Sequence, residues 1–82
     1  MLAKASYPAL VYFHDGAYEA IFFDLDGCYA TGYTIKELWE NSKKALNAYC
    51  AFHGHYPMAT RWDQIEIPAA AFLFLVEAPI KN

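Results

Sequence analysis

Two pairs of side chains in this sequence have a spacing that chemistry uses. Asp24 and Asp26 stand two residues apart, which on an extended chain turns both carboxylates to one side. Such a pair beside a turn can hold a cation weakly. His53 and His55 form an H-x-H pair, with His14 elsewhere; zinc there needs further ligands brought in by folding. Each pair also has a plainer role. Acidic residues at Asp26-Gly27 serve turn geometry and solubility, and a histidine at the end of a helix is favoured there as a cation by the macrodipole. The plainer roles are preferred, so no metal or cofactor site is expected.

Other chemistries lack their residues. There is no Gly-rich phosphate loop, no Ser-x-Gly element and no HExxH, the arrangements that cradle phosphates, expose a nucleophile or hold zinc. Cys28 and Cys50 form no CxxC and give neither a disulfide framework nor a zinc pattern; buried free thiols in a reducing cytoplasm are expected. The N-terminus has no long apolar run of the signal-peptide kind. The longest apolar run, residues 69–76, falls far short of a membrane span. A cytoplasmic location without membrane attachment is expected.

Charge points away from nucleic acid. The net charge is -3, and residues 1–33 carry all of that excess, with Lys4 set against Asp15, Glu19, Asp24 and Asp26. No Lys/Arg cluster occurs anywhere, and phosphate neutralisation needs one. Tyr and Trp side chains stack on bases, but without cations beside them core and interface packing is the better account. An acidic hairpin suits a basic partner instead; from the charge alone an ordinary solvated acidic face is the favoured account.

Few elements are needed to hold these residues. With 82 residues, the chain makes one domain, residues 1–82. It is 57% hydrophobic and 18% aromatic, too apolar for disorder and richer in aromatic surface than one small core needs, so part of that surface is expected against a second copy or a partner. Residues 7–13 read as a strand packed on both faces. His14-Asp15-Gly16 is a turn, and residues 18–24 return as a second strand. After the Asp26-Gly27 turn, residues 28–33 give a short third strand containing Gly32.

Thr34 opens a helix, with Glu37 at the capping-box spacing: the threonine oxygen takes the Glu37 amide and the glutamate reaches back to the Thr34 amide. Ile35, Leu38, Trp39, Ser42, Ala45, Leu46, Tyr49 and Cys50 form one apolar or small stripe. Gly54 is placed to end the helix in a left-handed conformation. Residues 55–64 read as a loop. Residues 72–76 read as a buried strand, although Pro68 and the three alanines after it also fit the start of a helix. The expected fold class is α+β in the order β-β-β-α-β, with the helix on one face of the sheet.

The sequence Asp24-Leu25-Asp26-Gly27-Cys28-Tyr29, followed by Gly32-Tyr33-Thr34-Ile35, then Glu40-Asn41 and Ala45-Leu46, resembles the HicB antitoxin family, whose pattern there is D-L-P-G-C-F/Y, a short gap, G-x-T and a helix. Pro57 fits a proline the family often carries after the helix. The resemblance covers most of the domain and is less sharp beyond Gly54. Asp26 stands where proline is common, and Trp39 is bulkier than the usual aliphatic residue, which implies a compensating gap or an exposed aromatic. The resemblance implies a partial RNase H-like fold: a three-stranded antiparallel meander, a helix and a further strand beside the first. Many members continue into a DNA-binding helix-turn-helix or ribbon-helix-helix module. Here the chain ends soon after the last strand, so direct DNA binding is not expected from it alone.

An RNase H-like fold raises the question of nuclease activity, which needs carboxylates converging on two metal ions, one typically on the first strand. Residues 7–13 hold no acid, and no enzyme is expected. The resemblance implies instead an antitoxin that covers the active site of a HicA-like, mRNA-cleaving toxin. Asp15, Glu19, Asp24 and Asp26 would steer and pair with toxin cations, and Tyr29 and Tyr33 would be the desolvated anchors. A homodimer or higher homo-oligomer is expected, through an apolar face or a strand edge. The alternatives are a free-standing RNA-binding or regulatory module of the same fold and, behind it, a residual nuclease using Asp24.

Overall fold

A computed structural model describes the backbone of residues 2–54 and 57–81, and the side chains of residues 6–54 and 57–78. The elements are β1 (Leu2–His14), β2 (Ala17–Phe22), β3 (Tyr29–Gly32), α1 (Ile35–His53), a 3-10 turn at Trp62–Gln64, and β4 (Phe72–Lys81). The four strands form one antiparallel sheet in the order β3-β2-β1-β4. This is the expected α+β arrangement.

β1 and β2 join through Asp15-Gly16, with His14 opposite Ala17. Both turn residues have positive φ, 55° and 79°, the two-residue turn whose twist matches that of the flanking strands. β2 stops at Phe22, two residues short of the expected end. Two groups release it there. Pro8, opposite the next position, has no N–H to give, and only its carbonyl pairs, accepting from Phe23 N at 3.0 Å. Asp24 then turns aside toward Thr60. β3 is also shorter than expected, Tyr29–Gly32 rather than residues 28–33.

β1 is longer than expected. Residues 2–6 pair only with β4, from Leu2 opposite Lys81 to Ser6 opposite Glu77, so the two strands run on as a ribbon beyond the end of β2. The 72–76 run is a strand, and it continues to Lys81. The competing helix gets no further than one turn, in which Ala71 N donates to Pro68 O at 3.0 Å. Phe74 and Val76 instead pack their side chains beside β1, in contact with the core.

The helix closes at both ends as its residues dictate. Thr34 Oγ1 accepts from Glu37 N at 3.1 Å. Glu37 Oε1 reaches back to Tyr33 N at 2.7 Å, one residue before the Thr34 amide that the capping box predicts. Gly54 has φ 72° and its N–H donates to Cys50 O, a left-handed cap that a side chain would strain. Leu38, Ser42, Leu46 and Cys50 are buried. Ile35 and Trp39, at the first turn of the stripe, stay partly exposed, and Trp39 meets Phe74 edge-on at 5.2 Å.

The core lies between α1 and one face of the sheet: Tyr7, Ala9 and Val11 of β1, Ala20 and Phe22 of β2, Ala30 of β3, and Val76 and Ala78 of β4. Helix and sheet approach closely at Gly32, where a Cβ would come within 2.6 Å of Leu38 N. Cys28 and Cys50, far apart in sequence, join the same core as free thiols.

Candidate binding surfaces

The helix covers one face of the sheet, and strand alternation sends every second side chain to the other. Register makes that open face continuous. Tyr29 lies opposite Ile21, Ile21 opposite Leu10, and Leu10 opposite Leu73, so one apolar row crosses all four strands. Leu75 extends it, opposite Pro8, whose own side chain is fully buried. Tyr29 is 60% exposed, Ile21 43% and Leu75 37%. The carboxylates on this face are Glu19, opposite both Tyr12 and Thr31, and Glu77. Among the strand residues whose side chains are described it carries no Lys or Arg; Lys4 and Lys81 belong by register to the same side, toward the far end of the β1–β4 ribbon. Next to the apolar row the described side chains carry negative charge only, which fits a partner that brings cations.

A smaller groove of about 280 Å³ opens on the helix side, between the β2–β3 loop and the last turns of α1. Cys28, Ala45 and Ala48 line it, with Tyr29, Tyr49 and Phe52 around them. Cys28 Sγ donates weakly to Ala45 O at 3.6 Å. Burial, and then the nearby Cys50 thiol, push the Cys28 thiol up to about 11; burial also raises Cys50. Neither is poised as a thiolate nucleophile.

The six residues expected at a partner interface do not meet in one place. Asp15 sits in the β1–β2 turn, exposed, against His14 Nδ1 at 3.2 Å. Tyr33 is exposed at the same end of the sheet, just before the helix. Glu19 and Tyr29 belong to the open face. Asp24 and Asp26 lie in the β2–β3 loop at the opposite end. They are divided in role as well: Asp26 is exposed, Leu25 between them is buried, and Asp24 is half-buried. Both oxygens of Asp24 are taken by Thr60, Oδ2 by its N–H at 2.8 Å and Oδ1 by its hydroxyl at 2.5 Å. Turn and loop chemistry therefore accounts for Asp24. Among the described residues no three His, Cys, Asp or Glu side chains come together as metal ligands. His53 packs against Tyr49 at 4.1 Å; His55, its H-x-H mate, lies outside the described residues.

No protein-family model matches the chain, and no curated protein matches it. Among solved structures it is similar to a chain of one described as "HicA3 and HicB3 toxin-antitoxin complex", with a TM-score of 0.67 at 20% sequence identity, over 87% of this chain and 94% of that one. The likeness is one of fold. It agrees with the arrangement of meander, helix and closing strand reached from the residues. Among the described residues no helix is long and apolar enough to cross a membrane.

Sequence reasoning misses the open-face residues Leu10, Ile21, Leu73 and Leu75. β1 and β4 are apolar at nearly every position, so alternation cannot say which side chains face the helix. The signal that marks the wet face is Glu19 and Glu77, one on each flanking strand.

Proposed function

We propose that this chain is an antitoxin-type binding protein that neutralises a HicA-like, mRNA-cleaving toxin by covering its active site, without catalysis of its own. The observation that carries this reading is the open sheet face: an apolar row across four strands with Glu19 and Glu77 beside it, the strand lysines Lys4 and Lys81 lying away from the row at the far end of the β1–β4 ribbon. A ribonuclease that grips RNA is basic around its active site, and such a face offers it desolvation together with opposite charge. The fold likeness to a chain of a toxin–antitoxin complex supports the same reading. Tyr29 serves as an exposed aromatic anchor within the face, and Glu19 as its charge. Asp15 and Asp26 contribute from the ends of the sheet, more through steering than through burial, and Tyr33 as an aromatic contact beside them; Asp24 contributes by holding the loop behind it.

The test is co-expression with the product of the reading frame beside this gene, followed by growth measurement and pull-down. Growth rescue and a stable complex are expected, and Glu19→Lys combined with Tyr29→Ala should abolish both while leaving the fold intact by circular dichroism. Absence of a complex with the unmodified chain overturns the reading, as does a double variant that still rescues growth.

A further inference from the structure

The two edges of the sheet are finished differently. On the β3 side the edge is four residues long. Phe22 N donates to Cys28 O, so Phe22 and Ala20 direct their backbone groups toward β3 while Ile21 and Glu19 face β1. Their partners Tyr29 and Thr31 therefore turn outward. The Thr31 carbonyl is already taken there, accepting from Asn41 Nδ2 of the helix at 2.8 Å. A short strand with a side chain across its edge cannot receive another strand.

On the β4 side the edge is ten residues long. The Pro8 carbonyl accepts from Phe23 on the β2 side, so Leu75, opposite Pro8, directs its N–H and C=O away from β1. By alternation Leu73, Glu77 and Pro79 do the same. No hydrogen bond among the described residues reaches the outward groups of Leu73, Leu75 or Glu77.

This open run is complementary to itself. A second β4 laid antiparallel with Leu75 opposite Leu75 sets Leu73 opposite Glu77, and the three outward residues of each strand exchange roughly six backbone hydrogen bonds. The next pair on either side is Pro79 opposite Ala71. Pro79 has no N–H, and the Ala71 N–H is already given to Pro68 O at 3.0 Å, so both partners of the run end at the same pair. Moving the axis by one residue either way inserts Pro79 or Ala71 into the run and leaves a carbonyl without a donor. The side chains agree with this register. Leu75, partly exposed, meets its own copy on the open face; Phe72, 43% exposed, lies across from Ala78 on the helix face; and Glu77 faces Leu73, so no like charges stand directly opposite.

We infer that the free edge of β4 is a homodimer contact, in which two copies pair Leu73–Leu75–Glu77 antiparallel about a two-fold axis at Leu75 and join their sheets into one of eight strands. The pairing does not depend on a toxin, and it leaves both open faces on the same side of the joined sheet.

The purified full chain should sediment at twice 9.3 kDa, and Leu75→Glu, which sets two carboxylates against each other at the axis, should return it to the single mass with an unchanged circular dichroism spectrum. Under oxidation Leu75→Cys should give a covalent dimer, because opposite residues stand roughly 5.5 Å apart between Cα atoms. Glu77→Cys should not, since its copy lies roughly 13 Å along the strand. A wild-type chain that stays monomeric across a dilution series overturns the inference. So does a dimer whose Leu75→Cys form fails to cross-link, or whose Glu77→Cys form cross-links as readily. If Leu75→Glu fails to fold, the wild-type mass and the two cysteine variants decide the matter.

Discussion

Thr60 closes on Asp24 with two hydrogen bonds, its N–H on one carboxylate oxygen at 2.8 Å and its hydroxyl on the other at 2.5 Å. The contact joins the β2–β3 loop to the segment that leaves the helix, across 36 residues of chain. A hydrogen bond to a charged group is worth about 1.5–3 kcal/mol when one partner is removed. Asp24→Ala should therefore lower unfolding stability by about 2 kcal/mol, read from the urea midpoint. If stability is unchanged, Asp24 is free for another role and the structural reading of it fails.

Gly32 is fixed by the helix above it. A Cβ there falls 2.6 Å from the Leu38 amide nitrogen, and the nearest atoms are backbone, which cannot swing aside. Gly32→Ala should lift α1 off β3 and cost about 2–3 kcal/mol. Gly16, whose Cβ would meet nothing within 4 Å, separates the two effects: an alanine there costs only turn strain. Thermal melts of the two variants should rank Gly32→Ala as the more damaging.

Ser42 lies wholly buried on the inner side of α1, and among the described residues its hydroxyl has no hydrogen-bond partner. An unsatisfied buried hydroxyl costs about 1–3 kcal/mol, and the neighbouring Leu38 and Leu46 leave an apolar setting. Ser42→Ala should raise the melting temperature, by an amount corresponding to about 1 kcal/mol. A fall would mean that the hydroxyl does have a partner in solution.

The thiol of Cys28 holds its proton more tightly when folded, up to about 11 against an ordinary value of 9.0, because it is buried and Cys50 is near. The folded state is therefore the protonated one, and alkali favours unfolding. The contribution is complete below pH 9 and is lost as pH rises toward 11, on the order of 2 kcal/mol in all. Urea midpoints measured across that range should fall more steeply for the unmodified chain than for Cys28→Ala.

The parts of this fold governed by neighbours along the chain are legible in the sequence. Thr34 and Gly54 mark the helix because a cap acts within one turn, and Asp15-Gly16 marks the hairpin for the same reason. The strand at Phe72–Lys81 needs more, since a proline followed by alanines also starts a helix; packing of Phe74 and Val76 beside β1 decides it. Features that depend on distant chain stay hidden: the first residues of β1, which have only β4 as partner, the grip of Thr60 on Asp24, and the meeting of Cys28 with Cys50. The candidate interface is legible in its chemistry and not in its layout. Composition and motif pick out the acids and aromatics, but only register shows that Glu19 and Tyr29 share a face that Asp24 and Asp26 do not.

The ribbon that pairs Leu2 with Lys81 sets the order in which the molecule can be finished during synthesis. The hairpin and helix can assemble as soon as they leave the ribosome, whereas residues 2–6 must wait for residues 77–81 to be made. Until Lys81 has emerged, β1 presents one side bare to the cell, and a chaperone that recognises unpaired strands would find its target there.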